Sequence, residues 1–347
     1  MKRIGMLAVA LISGACIVAH SAAAAPTAAT ARQSCAPASD LHFVCGLINV
    51  EDFVPVEGGR WLVGGSYQAG SAGLYLIDTG AKTAMPVKLS IAPHPDPMYR
   101  GCAAPPLGGL FTHGLDAVPG RGGSTTVYAV NHGGRESIEI FRLRAARDSA
   151  EWVGCVALPE GASGNAVAAL PDGGFVVSKF TDTRDKQAFQ HIFAGKITGV
   201  VYLWRPGKGF REVPGTRLCG DNGVVVTRDG KWLIVNAWGA NEIYRVPLSG
   251  RGAITHVKVD FHPDNLRWAP DGTLFDTGQL FGPGASAGIH AWATVRLDPR
   301  TLSVTPIVKE PGYKEFSDAT STVQVGRTLW FGTFRGDRVA YRTTQRR

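Results

Sequence analysis

A six-bladed, all-β propeller is the fold this sequence predicts, and three observations predict it. The chain of 347 residues carries 44 Gly and 21 Pro with 18% charged residues, which excludes coiled coils, collagen and charged disordered tails and favours a turn-rich globule. One pattern recurs six times: a polar residue, a short apolar-alternating segment, a Gly-containing turn, then a second apolar segment opening with a bulky residue. The copies stand 43 to 62 residues apart, the spacing of four-stranded propeller blades.

In chain order, Met1-Lys2-Arg3, an apolar stretch to about Ala19 and the small residues through Ala25 have the charged, apolar and cleavage regions of a secretory leader. Residues 1–25 are therefore expected to be a signal peptide, 26–40 a flexible N-terminal segment and 41–347 the propeller. A lipoprotein reading through Cys16 is disfavoured, because Ser13 stands where a bulky aliphatic residue is needed. Export to the periplasm or the medium permits disulfides. Cys35, Cys45, Cys102, Cys155 and Cys219 follow the leader, an odd count that leaves at least one without a partner in the chain. Cys35 and Cys45 are the nearest pair, but spacing does not fix the connectivity. No later apolar run approaches the ~20 residues of a membrane span. The formal charge of +8 is spread without a run of five like charges, which speaks against nucleic acid as a partner. Nothing in the sequence calls for an obligate protein partner.

The repeats open at Glu51, His113, Asn165, Asn222, Asn265 with Asp264 before it, and Ser321. Each begins a hairpin, with turns such as Asp172-Gly173-Gly174 and Asp229-Gly230-Lys231. Third strands are expected at 73–78, 137–143, 199–204, 241–246 and 338–342, and fourth strands at 152–157 and 254–259. The last repeat has room for only three strands before Arg347, so 41–47 is expected to supply its fourth and close the ring. In the third repeat, 182–196 interrupts the pattern. There Ala188, Phe189, Ile192 and Phe193 fall at helical spacing. This insertion is either a helix packed on the rim or a lid over the propeller mouth, with Phe189, Ile192 and Phe193 as its working residues.

Innermost strands of a propeller converge on the central axis, so residues that open them meet although far apart in sequence. Buried polar groups at one depth must find a partner, and a bound ion satisfies several together. Glu51, Asn165, Asn222, Asp264 and Asn265 offer hard oxygen, two as carboxylates and three as amides. That donor set suits Ca²⁺ better than Mg²⁺ or Zn²⁺, and two carboxylates neutralise the ion. A partly open site of this kind can polarise a carbonyl while water attacks it. His113 occupies the same phase of the second repeat and His132 ends the next strand, which makes them a candidate general base and its proton relay. Asp264 is the alternative base.

With these residues in place, the chain resembles the calcium-dependent six-bladed propellers of the paraoxonase (arylesterase and lactonase) and gluconolactonase/regucalcin superfamily. The likeness rests on Val50-Glu51-Asp52, Thr112-His113-Gly114-Leu115, Val130-Asn131-His132, Asp221-Asn222-Gly223, Asp264-Asn265 and the closing 321–333. It implies a catalytic calcium held by Glu51, Asn165, Asn222, Asp264 and Asn265, a histidine dyad of His113 and His132, and hydrolysis of a small-molecule lactone or aryl ester. It also implies an active-site helical segment at 182–196. Two departures stand out. Ala166 replaces an acidic ligand of the family's second, structural calcium, although Asp52 is present. No cysteine follows Cys219, so the family's disulfide between the chain ends cannot form.

Other readings compete. Gly284-Ala285-Ser286-Ala287-Gly288 matches the serine-hydrolase pattern, but that motif needs a sharp strand-to-helix turn, and here it lies in a small-residue loop. A non-enzymatic binding propeller with a structural metal, or a metal-independent propeller similar to strictosidine synthase, would share the fold. The histidines argue against the first and the five oxygen donors against the second.

Overall fold

The structure, a computed structural model, describes residues 35–282 and 288–344. The expected signal peptide, Cys16 and Ser286 lie outside the described residues. Among the described residues the strands form six blades around one axis, antiparallel except for one added strand in blade 2. Innermost strands are Phe53–Val56, Thr112–Pro119, Ala162–Ala169, Asp221–Val226, His262–Trp268 and Ala319–Val325 for blades 1 to 6. Each is followed outward by a hairpin partner and then by third and fourth strands. Closure is as the sequence predicts: His42–Cys45 adds antiparallel to Arg338–Thr343, with His42 opposite Tyr341 and Cys45 opposite Arg338.

Residues 35–40, grouped with a flexible segment in the sequence reading, are instead tied down. Cys35 is disulfide-bonded to Cys45, and Ala38 exchanges backbone hydrogen bonds with Leu41. The second disulfide joins Cys102 to Cys155, and Cys219 is a buried free thiol. Blade 2 also carries a fifth strand that the repeat did not announce. Lys88–Ile91 runs parallel to Ser149–Ala157, and Arg100 bridges Cys155 farther along. Its four residues, Lys88-Leu89-Ser90-Ile91, alternate in polarity but are mostly exposed, and so short an alternation does not stand out in the sequence.

Each blade is apolar on both faces because it is covered on both sides. One buried cluster fills each junction: Val54, Leu115 and Phe141 between blades 1 and 2, Ile140, Val167 and Phe175 between 2 and 3, and Val176, Val224 and Leu233 between 3 and 4. The ring continues with Ile234, Leu266 and Leu297, then Phe275, Trp292 and Phe331, then Val323, Trp330 and Phe53. This circular core holds the six innermost strands at fixed spacing, and so fixes what meets at the axis.

Candidate active site

In blades 2 to 6 the residues that open the innermost strands sit where strand pairing breaks. Register shifts fall between Thr112 and Leu115, Gly164 and Val167, Asp221 and Val224, Pro263 and Asn265, and Ala319 and Ser321. Such bulges re-aim side chains away from the sheet plane, here toward the axis. The strands also pinch together at this level. A Cβ at Gly114 would lie 2.4 Å from the Asn165 carbonyl oxygen, and one at Gly223 2.3 Å from that of Asp264. The glycines after His113 and Asn222 are thus a condition of the convergence.

The structure brings Glu51, Asn165, Asn222 and Asp264 to the wall of one cavity of about 430 Å³, together with His113 and His132. Glu51, Asn165, Asn222, Asp264 and Asn265 are all buried. The Asn265 Nδ2 donates to Glu51 Oε1 at 2.5 Å. Asn265 therefore turns its nitrogen, not the expected oxygen, toward that carboxylate; a half-turn of the amide exchanges the two atoms. Gln279 Nε2 donates to Asp264 Oδ2 at 2.7 Å, and Trp238 Nε1 donates to Gln279 Oε1 at 3.1 Å. Asn236 Nδ2 donates to the Asp264 backbone oxygen at 2.8 Å. Ser321, the sixth marker, does not face the cavity; its hydroxyl donates to the Glu51 backbone oxygen at 3.1 Å.

Three of these side-chain oxygens, Glu51 Oε2, Asn165 Oδ1 and Asn222 Oδ1, are buried without a hydrogen-bond partner. Buried acceptors of that kind are rare and costly. Burial, reinforced by Asp264, holds the Glu51 carboxyl well above the usual carboxylate range. Burial also pushes Asp264 up to about 7, against hydrogen bonds from Gln279 and Asn222. Among the described residues no three His, Cys, Asp or Glu side chains cluster as a metal site. The set here is two carboxylates with neutral amides, the donor chemistry of a hard divalent cation, and its lone orphan oxygens fit such an ion.

His113 Nδ1 lies 3.0 Å from His132 Nε2, and His113 Nε2 lies 3.7 Å from Glu51 Oε2, beyond hydrogen-bonding reach. Burial, followed by the neighbouring His132, holds the His113 imidazole well below its ordinary pKa. Tyr67 packs on His113 with ring centroids 4.3 Å apart; burial beside Glu51 pushes its phenol up to about 12.

The insertion forms the helix Ala188–Phe193. Phe189 and Phe193 line the cavity with Phe180, Trp238, Phe281 and Phe334, and Phe193 touches Trp238 and Phe281 edge-on. Ile192 does not belong with them. It is fully buried against Cys219 and Trp238 beneath the helix, an anchor and not a lining residue, because the helix needs one apolar face to dock. The segment 98–110 contributes no residue to the cavity wall; its first part is held to the outer strand Ser149–Ala157 by the Arg100 bridge and the Cys102 disulfide to Cys155.

Below the hub, Asp52 is fully buried. Arg267 Nε donates to its Oδ1 at 2.9 Å, and Arg267 Nη2 donates to its Oδ2. The backbone nitrogens of Phe53 and Leu115 complete its shell at 2.9 Å each. A guanidinium thus already neutralises the residue expected at a second ion, and with Ala166 in place of the other acid the residues do not fit a second calcium.

Sequence reasoning missed Glu136, Tyr67, Gln279, Trp238 and Arg267. Only Arg267 carried a signal, a charged residue two positions after Asn265 and so on the same, inward face of an innermost strand.

No protein-family model and no curated protein matches this chain. Solved structures do. A luciferin-regenerating enzyme aligns at 13% identity with a TM-score of 0.56, over 86% of this chain and 92% of that one. A gluconolactonase from Xanthomonas campestris aligns at 15% and 0.54, over 88% and 89%. A calcium-binding regucalcin from Agrobacterium tumefaciens aligns at 12% and 0.52, over 86% and 92%. Likeness at such identities establishes the shared six-bladed propeller.

Proposed function

We propose that this protein is an exported, Ca²⁺-dependent hydrolase of a lactone or aryl ester. The observation that carries the reading is the meeting of Glu51, Asn165, Asn222 and Asp264 beside the His113–His132 pair, with three of their buried oxygens lacking partners. The similar structures of a gluconolactonase and a calcium-binding regucalcin lend it support.

Glu51 and Asp264 supply the charge that balances a divalent ion, and Asn165 and Asn222 supply neutral oxygens. Asn265 joins them with its amide turned. A bound Ca²⁺ would polarise the substrate carbonyl and stabilise the developing oxyanion. His113 accepts the proton of the attacking water, since its depressed pKa leaves the imidazole unprotonated at neutral pH. His132 stabilises the imidazolium so formed. Asp264 is held by Gln279 and is less available as base. The aromatic wall seats the apolar part of the substrate and thins the water around the carbonyl.

The test is a panel of lactones and aryl esters on the purified protein, with and without a calcium chelator. Hydrolysis should vanish on chelation and return with Ca²⁺. Turnover indifferent to chelation, or calcium binding with no turnover on any member, contradicts the reading.

A further inference from the structure

The hairpin between Thr125–Asn131 and Ser137–Arg144 holds a residue that the proposed chemistry has not used. Its five-residue turn starts with His132 and ends with Glu136, and Gly134 takes a left-handed φ of 73° to close it. Asn131 braces the turn. Its Nδ2 donates to the backbone oxygens of Gly133 and Arg135 at 3.0 and 3.2 Å, and its Oδ1 accepts from the Phe111 nitrogen at 3.0 Å. So fixed, both Glu136 carboxylate oxygens lie 2.9 Å from His132 Nδ1. Oε2 also accepts from the Gly164 backbone nitrogen at 3.0 Å, next to Asn165.

Hydrogen-bond polarity propagates along this line. An ionised carboxylate only accepts, so His132 Nδ1 must carry hydrogen. A neutral His132 then has a bare Nε2, which at 3.0 Å can only accept from His113 Nδ1. That places hydrogen on His113 Nδ1 and leaves His113 Nε2 bare. The opposite polarity would need hydrogen on His132 Nε2 and so a bare Nδ1 held 2.9 Å from both Glu136 oxygens, acceptor against acceptor with no hydrogen between them.

We propose that Glu136 is a positioning residue: through His132 it fixes the tautomer of His113, so that the Nε2 lone pair faces the hub. This inference rests on the hydrolase reading for its kinetic consequence, but its physical content is independent of it. Glu136 touches neither the hub oxygens nor the aromatic wall, and its link to Gly164 couples the dyad to the strand that carries Asn165.

The experiment is nitrogen-15 NMR of the imidazole rings in the metal-free full-length protein at neutral pH, with His113→Asn and His132→Asn variants to assign the two rings. Both rings should be protonated at Nδ1 and bare at Nε2. In Glu136→Leu, His113 should show a large share protonated at Nε2. Glu136→Gln keeps an accepting oxygen and should restore the wild-type pattern. On a substrate that the wild type hydrolyses, Glu136→Leu should lower kcat by about 10–100-fold, the usual effect of removing a group that orients a functional histidine, with KM nearly unchanged and Glu136→Gln recovering most of the loss. Wild-type His113 protonated at Nε2, or tautomers unaltered in Glu136→Leu, overturns the proposal. If no lactone or ester is turned over, the hydrolase reading fails while the ring spectra still decide the role of Glu136.

Discussion

Glu51 and Asp52 stand next to each other in the chain and are equally buried, with 1% and 0% of their surface exposed, yet their surroundings differ in kind. Asp52 is saturated by two backbone nitrogens and a guanidinium. Glu51 keeps one oxygen without a partner, and its neighbours across the hub, Asn165 and Asn222, do the same. A buried carboxylate with a complete shell holds a fold together. One left incomplete beside two equally incomplete amides is, on the function proposed above, arranged for a cation.

The largest effect should come from breaking the saturated member. Asp52→Ala leaves Arg267 buried and without its counter-ion, and removing one partner of such a pair typically destabilises by about 3–5 kcal/mol. Denaturant unfolding of the metal-free protein should show a loss of that order. A loss below about 1 kcal/mol would mean that the pair is no more than a surface-type contact.

Asp264→Ala and Asn222→Ala should act the other way. The metal-free proteins should unfold close to wild type, while turnover falls by at least about 10²–10³-fold, the scale of losing one element of electrostatic stabilisation. Unchanged lactone and ester hydrolysis in both variants would remove the hub from the mechanism.

How far the sequence could be read follows from the same contrast. The blades were legible because the strand–turn–strand unit recurs, and the hub because its members share one phase of that repeat, in Glu51, His113, Asn165, Asn222 and Asp264. Residues that complete the site from elsewhere were not. Glu136 reaches His132 across a tight turn whose geometry depends on Asn131, and Gln279 reaches Asp264 from the neighbouring strand, so no periodicity announces them. Ile192 was misplaced because helical spacing reveals an apolar face without telling which residue of it points down.

A smaller effect is expected from pH. Asp264 is pushed up to about 7 and Glu51 is raised as well, so folding retains protons that the unfolded chain releases near pH 4. Metal-free stability should therefore be greatest in acid and fall as pH rises from about 4 to about 7, most clearly for Asp264. Calcium, which selects the ionised carboxylates, should flatten or reverse that slope. Thermal unfolding at a series of pH values with and without Ca²⁺ checks the sign, and a metal-free stability that rises over this window contradicts it.

The smallest change should follow Phe193→Ala. Phe193 is 54% exposed and contacts Trp238 and Phe281 only edge-on, so kcat/KM for an apolar substrate should fall by less than about tenfold, with stability and calcium affinity unaffected. A loss as large as that of Asp264→Ala would promote the helix from wall to working part of the site.

Calcium titration of the metal-free protein by calorimetry, wild type beside Glu51→Gln, tests the central claim most directly. The account predicts one ion per wild-type chain, with protons released on binding, and binding lost or weakened by more than tenfold in Glu51→Gln while the variant stays folded. Equal calcium binding by the two proteins, or none by the wild type, would contradict it.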